Sequence, residues 1–244
     1  MRINKFFTEN GICSRREADR WIEAGRVTIN GVLAKPGDQL QHPPGGTSTD
    51  RHSSYDVVAL DGKPIAIQPK RRIVLAYHKP VGIECTADPD NPKNVISALN
   101  YPERVFYIGR LDVMSEGLLL LTNIGQLADQ IARARNQHEK EYEVIFHQAL
   151  SDSQIAKLRA GVDIGDDERG LTLPCEVVRI DARSARITLK EGRNRQIRRM
   201  AEALGLNVAR LKRIRVMSIH LGSLGSNQWR ELSDIEIAGL FPDT

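Results

Sequence analysis

Residues 118–121 are four consecutive leucines, and directly before them stands a short segment with a single aspartate, Gly109-Arg110-Leu111-Asp112-Val113-Met114-Ser115-Glu116-Gly117. No other feature limits the fold as much. A run of four is too short for a buried helix and suits a strand covered on both faces. Residues 115–117 are then expected as the turn leading into that strand, with Asp112 on a loop held by the core. By itself an aspartate after Arg-Leu is more simply a solvated loop carboxylate, or half of a local salt bridge with Arg110. Other residues have to decide its role.

A chain of 244 residues can bury a substantial core, and two unequal domains are expected. Charged residues make up 27% and hydrophobic ones 41%, ordinary for a soluble globular protein, and no apolar run approaches the ~18 residues of a membrane span. Arg2 and Lys5 are not followed by an apolar stretch, which argues against a secretory signal. Cys13, Cys85 and Cys175 are far apart and form no Cys-x-x-Cys pair, so neither a disulfide framework nor a zinc site is expected. A reducing cytoplasm and a monomer are the expectation.

The formal charge of +4 is mild, and its distribution says more than its size. Lys190, Arg193, Arg195, Arg198, Arg199, Arg210, Lys212, Arg213 and Arg215 form one basic cluster, and Arg15, Arg16, Arg20 and Arg26 form another. Either alone could be the solvated face of a helix. Two separated basic surfaces together favour an extended polyanion, and so nucleic acid.

From the N-terminus, Ile3, Phe6 and Phe7 have helical spacing, with Asn10-Gly11 able to end the helix. Ser14-Arg15-Arg16-Glu17 reads as a capping box opening a second helix, with Ala18, Trp21 and Ile22 turned inward, Gly25 as its stop, and Arg15, Arg16 and Arg20 outside. Asn30-Gly31, between residues 27–29 and 32–34, signals a hairpin. A further strand is expected at residues 55–60. Carried by Arg2-Ile3-Asn4-Lys5, by residues 11–18 and by residues 27–31, this arrangement resembles the S4 RNA-binding domain. The resemblance implies RNA binding through a face holding Lys5, Arg15, Arg16 and Arg20. Residues 41–54, with Pro43-Pro44-Gly45-Gly46 and a Ser/Thr-rich tract, depart from the family pattern and read as an inserted flexible loop. The domains are placed at 1–67 and 68–244, with the linker within residues 64–72.

Beyond the linker, strands are expected at residues 73–77 and 105–108, and a short helix or turn at 95–99. Asp88-Pro89-Asp90-Asn91-Pro92 lacks the glycine and the terminal glutamate of a calcium loop. Asn123 is expected to cap a helix with Leu127, Ile131 and Ala132 that ends among residues 133–136. Residues 139–146 alternate so that Tyr142, Val144 and Phe146 face inward. A helix at 151–160, an acidic loop at 165–170 and an antiparallel pair at 175–180 and 186–189 follow. Asn194 is expected to cap a helix with Ile197, Met200, Ala201 and Leu204 as its apolar stripe, closed by Gly205. At about 100° per residue, Arg195 and Arg199 fall opposite that stripe and Arg198 at its edge, partly buried. Strands interrupted by helices, with antiparallel pairings, give an α+β fold with a larger mixed, mainly antiparallel sheet. No phosphate-cradling glycine motif, Gly-x-Ser-x-Gly or metal-spaced histidine set occurs, so neither cofactor nor metal is expected.

Gly109-Arg110-Leu111-Asp112, then Ser115-Glu116-Gly117-Leu118-Leu119 with Thr122-Asn123, then Glu139-Lys140-Glu141-Tyr142, then residues 192–200 together resemble the RsuA-type bacterial pseudouridine synthases. Trp229-Arg230-Glu231-Leu232 and residues 136–142 are most similar to a branch that modifies large-subunit (23S) ribosomal RNA and can also act on tyrosine tRNA. The resemblance implies cofactor-free isomerisation of uridine to pseudouridine, with Asp112 as the essential carboxylate and Arg198 as its salt-bridge partner. It implies Tyr142 stacked on the flipped uracil, and Arg110 filling the space the base vacates at a cost of about a few kcal/mol. Arg195 and Arg199 are expected to bind substrate. The rival readings are a non-catalytic RNA-binding or ribosome-assembly protein, and the same chemistry directed mainly at tRNA.

Overall fold

Ile3, Phe6 and Phe7 are fully buried on one side of the first helix, α1 (Ile3–Glu9), which ends where Gly11 takes φ +60°. The computed structural model describes residues 1–41, 55–66, 71–132, 138–165 and 170–240. The chain divides into one unit of Met1–Arg72 with Asn123–Gly125 and a second of Ile73–Thr122 with Gln126–Thr244. Most of the expected insertion at 41–54, and residues 67–70 of the expected linker, lie outside the described residues.

In the first unit α2 (Arg15–Glu23) starts at Ser14, whose hydroxyl accepts from the Glu17 amide at 3.1 Å. Among the described residues the reciprocal Glu17 bond of a full capping box is not made. Ala18 and Ile22 are buried, and half-buried Trp21 meets Phe7 edge-on at 5.7 Å. Strands β1 (Val27–Ile29) and β2 (Val32–Leu33) turn at Asn30 (φ +51°) and Gly31 (φ +82°), the backbone a two-residue hairpin requires. β3 (Val58–Leu60) pairs antiparallel with β1, and β4 (Lys63–Pro64) with β3, giving the order β2-β1-β3-β4. β3 is shorter than the expected 55–60 because Asp56 and the Val57 amide bond instead to the Asn30 side chain.

The second unit holds β5 (Val74–Lys79), α3 (Val95–Leu99), β6 (Phe106–Ile108), β7 (Glu116–Thr122), α4 (Gly125–Ala132), β8 (Lys140–Phe146) and α5 (Asp152–Ala160). It continues with β9 (Glu176–Arg179), β10 (Ser184–Leu189), α6 (Gln196–Ala203), β11 (Val208–Val216), β12 (Ile219–His220), β13 (Trp229–Glu231) and α7 (Asp234–Gly239). Nine strands form one sheet along β13-β5-β7-β11-β8-β10-β9, with β6 paired to β7 and β12 to β11. All of these pairs are antiparallel except β7 with β11, joined at Glu116↔Lys212 and Gly117↔Arg213. The expected α+β architecture, with a small N-terminal unit and a mainly antiparallel sheet, is found. Among the described residues no helix is long and apolar enough to cross a membrane.

The leucine strand is covered on both faces, each of its four leucines being at most 1% exposed. Burying a leucine fully is worth about 1.5–3 kcal/mol, so the run anchors whatever leads into it. Two local expectations are corrected. Residues 116–117 belong to β7 rather than to the preceding turn, because Gly117 at φ +108° lets the strand meet β11. Asn194 does not cap α6; Arg195 stands at the cap with φ +50° and makes no side-chain cap bond. Asn123 lies two residues before α4, and its amide donates to the Arg71 carbonyl at 2.9 Å. The expected end of α4 at residues 133–136 and the centre of the acidic loop, 166–169, lie outside the described residues.

Candidate active site

β6 and β7 pair antiparallel, and the connection between them, residues 109–115, carries Asp112. Gly109 turns the chain with φ +70°. Ser115 N donates to Asp112 O at 3.0 Å, Gly82 N to Val113 O at 2.8 Å, and Leu111 N to Cys85 Sγ at 3.4 Å. Two arginines far along the chain complete the bracing. Arg198 Nη2 donates to Met114 O at 2.7 Å and Ser115 Oγ at 3.5 Å, while Arg213 donates to Leu118 O at 2.7 Å and Arg110 O at 3.3 Å. Backbone bonds therefore fix the turn, and the Asp112 side chain takes no part in holding it. Half-buried, that carboxylate accepts no hydrogen bond and has no cation within 4.0 Å among the described residues.

Beneath the turn, Lys79 is fully buried at the end of β5 and donates to Pro80 O at 2.8 Å and Ile83 O at 2.7 Å, shaping the loop that reaches Val113. Burial lowers its pKa, opposed by Cys85 and by Asp112 itself. Burial likewise pushes the Cys85 thiol up.

Asp112 lines a cleft whose other wall is β8 and β11 with the start of α6, and the cleft lies across the β7–β11 seam. Tyr142 lines it too. Its register neighbours are Ile187 and Arg213, and its ring packs against both hydrophobic clusters of this unit, one around Leu75, Tyr77, Leu119 and Leu121, the other around Val144, Ile187 and Met200. Arg110 and Arg195 are exposed at the rim, the latter 3.8 Å from Glu202. Arg213 is 3% exposed, and its charge enters the same space.

The RNA pseudouridylate synthase family pattern matches residues 73–203, and the S4 domain pattern matches residues 1–45. The chain belongs to the RNA pseudouridylate synthase family. The synthase is thus an isomerase with an N-terminal S4 RNA-binding domain. It is 43% identical over 242 residues to the dual-specificity RNA pseudouridine synthase RluF of Escherichia coli K12, covering 99% of this chain and 78% of that protein. It is 33% identical to the ribosomal large subunit pseudouridine synthase B of Vibrio vulnificus, covering 95% and 71%. A crystal structure of a pseudouridylate synthase aligns at TM-score 0.68 with 28% identity, covering 98% of this chain and 99% of that one.

Of the residues expected at the synthase's site, Asp112, Tyr142, Arg110 and Arg195 share the cleft. Arg198 is partly buried as its place at the stripe's edge predicts, but it forms no ion pair with Asp112 within 4.0 Å. Its guanidinium donates to the Met114, Ser115 and Val208 oxygens while its buried Nε finds no partner among the described residues, and Asp112 reaches it only as a nearby charge; burial, then Arg195, pull its pKa down against that charge. Arg199 donates to the Ile164 carbonyl and does not line the cleft. The basic cluster of residues 190–215 is also largely paired within the fold. Arg193 binds Glu191 and two backbone carbonyls, Arg210 binds Glu116, and Arg215 binds Glu139 and Glu141. Such pairs neutralise charge that composition alone assigns to the surface.

In the S4 unit Arg15, Arg16 and Arg20 are exposed, as amphipathic spacing predicts. Lys5 is half-buried and pairs with Glu9 at 3.3 Å. Lys79, Lys140 and Arg213 were not singled out by sequence. The one signal for them is apolar spacing, since each stands where its strand's inward face requires a hydrophobic residue.

Proposed function

We propose that this synthase isomerises a specific uridine of 23S ribosomal RNA, with Asp112 as its essential carboxylate, Tyr142 as the aromatic wall for the flipped uracil and Arg110 as the side chain that fills the vacated stack. The observation that carries this reading is the Asp112 carboxylate itself: half-buried, without a partner among the described residues, and set into a cleft on a turn held mainly through its backbone. An ionised, oriented carboxylate beside the sugar of the target nucleotide is what each route for opening its glycosidic bond needs. Arg198 acts here by positioning that turn, while Arg195 and Arg110 at the rim meet the phosphates. Residues 1–67 serve as the RNA-binding domain and 68–244 as the catalytic one. The large-subunit target is supported by the relatives' names, one of them a ribosomal large subunit enzyme and another dual-specificity. That second name favours a tRNA, tyrosine tRNA by the branch resemblance, as an additional substrate.

The test is release of tritium from C5-labelled 23S ribosomal RNA and from tyrosine tRNA, with pseudouridines mapped in cells with and without the protein. One 23S position should disappear with the gene. A full complement of 23S pseudouridines in its absence would refute the ribosomal target, and loss confined to tRNA would move the substrate there.

Arg15 and Arg16 supply exposed charge for phosphate contacts, so replacing both with Ala should weaken RNA binding and reduce the slope of log K against log salt by roughly one to two. Filter binding across a salt series measures this. An unchanged slope would take the pair out of the RNA interface.

A further inference from the structure

Lys140 stands two residues before Tyr142 on β8, so both side chains leave the strand on the same face, and both line the cleft that holds Asp112. Its ammonium is half-buried and among the described residues makes one hydrogen bond, to the His138 carbonyl at 3.0 Å. An ammonium has three donors. Among the described residues no carboxylate lies within 4.0 Å of it. The nearby acids are engaged elsewhere: Glu139 and Glu141 with Arg215, and Glu191 with Arg193 and Gln196. Arg213, the strand neighbour of Tyr142, adds a second positive charge. Burial, reinforced by Arg213, brings the Lys140 pKa down to about 8. A desolvated cation without a counter-charge costs stability, and among the described residues one carbonyl is all that offsets it. The negative charge it is built to meet must arrive with the ligand.

We propose that Lys140 is a catalytic residue of the isomerisation, holding the negative charge that collects on the pyrimidine when its N1–C1′ bond opens. The assignment rests on the proposed function, in which Tyr142 lies against the uracil and Asp112 against the sugar. The bonding pair of N1–C1′ stays with the ring and spreads over N1, O2 and O4, leaving C1′ electron-poor. After the ring turns, C5 supplies a pair to C1′ and forms the carbon–carbon bond. C5 then loses its proton and N1 gains one, so composition and charge are unchanged overall. Charge therefore develops on the ring only between the two bonding steps. A fixed, half-buried cation stabilises that state more than the neutral substrate, as differential binding requires. The ring is favoured over a backbone phosphate as the target because Lys140 shares its strand face with the aromatic side chain, whereas the cations suited to phosphates, Arg110 and Arg195, are exposed at the rim.

The test compares wild type, Lys140→Met and Lys140→Arg by tritium release from C5-labelled RNA at saturating RNA, from pH 6 to 9.5, alongside RNA binding and thermal melting. Lys140→Met should lower kcat by on the order of 10²–10³-fold while RNA affinity stays within about threefold. Wild-type kcat should fall as pH rises through about 8, where the cation is lost. Lys140→Arg, charged throughout, should keep part of kcat and lack that fall. Uridine N3 ionises at alkaline pH equally for all three proteins, so the difference between profiles carries the result. A Lys140→Met protein with wild-type kcat, one that loses affinity alone, or Arg and wild-type profiles that coincide would each overturn the assignment. Should Lys140→Met melt before assay, the Arg comparison decides by itself. Absence of release by wild type would refute the proposed function as well, which separates that failure from one of Lys140 alone.

Discussion

Asp112→Asn should reduce tritium release from C5-labelled RNA by on the order of 10³-fold or more, with RNA affinity and melting temperature close to wild type. Loss of activity without loss of structure is expected because of how the turn is held. Asn is the same size as Asp, and the Asp112 carboxylate accepts no hydrogen bond among the described residues. The bonds that shape the turn come from Ser115 N, Gly82 N and Arg198 to backbone oxygens. The substitution therefore removes a charge from the cleft and nothing from the scaffold. Single-turnover assays at saturating RNA, with filter binding in parallel, make the comparison, and near-normal turnover would show that the essential carboxylate lies elsewhere.

Gly117→Ala should destabilise the protein by about 4 kcal/mol or more, or prevent folding, and abolish turnover with it. A Cβ at this position would sit 2.2 Å from Arg213 O and 2.6 Å from Arg213 N, and the backbone at φ +108° is already one that L-residues rarely adopt. Both obstacles are backbone, so no rotamer change relieves them. Relief would have to separate β7 from β11 at the two pairs that join them. Gly109→Ala is the control: its φ is +70°, but a Cβ there meets nothing within 4 Å, so the cost should be about 1–2 kcal/mol. Urea unfolding of both variants tests the contrast, and equal stabilities would deny that close approach at the seam sets the requirement for glycine.

The residues that were legible in the sequence are those whose role follows from apolar spacing. Four leucines in a row identified the anchor strand, alternation turned Tyr142 inward, and the stripe of α6 put Arg198 at its edge. The residues that stayed hidden carry charge on inward faces. Lys79 and Arg213 are almost fully buried, yet a Lys or Arg in a sequence reads as a surface residue, since the carbonyls that permit its burial, Ile83 O for Lys79 and Leu118 O for Arg213, are placed by the folded backbone. For the same reason β11 read as part of a basic patch. Asn194 misled in the opposite direction, because a capping residue type marks a region, while the actual helix start depends on how the preceding loop enters. Arg198 is the intermediate case: its depth was readable, and its partner, the turn's oxygens rather than the Asp112 carboxylate, was set by geometry only the fold supplies.

The two-pair seam between β7 and β11 also orders events in time. β6 and β7 close over the short connection 109–115 and β5 joins β7 from the same stretch of chain, whereas β11 must return across β8, α5, β9, β10 and α6 before it can add to β7. Contacts of such long sequence separation form late. During synthesis the S4 unit and the strand pair flanking Asp112 emerge first, and Tyr142, Arg198 and Arg213 follow. A growing chain thus presents its RNA-binding face well before it owns a finished catalytic cleft, so modification has to wait until the last third of the polypeptide has been made.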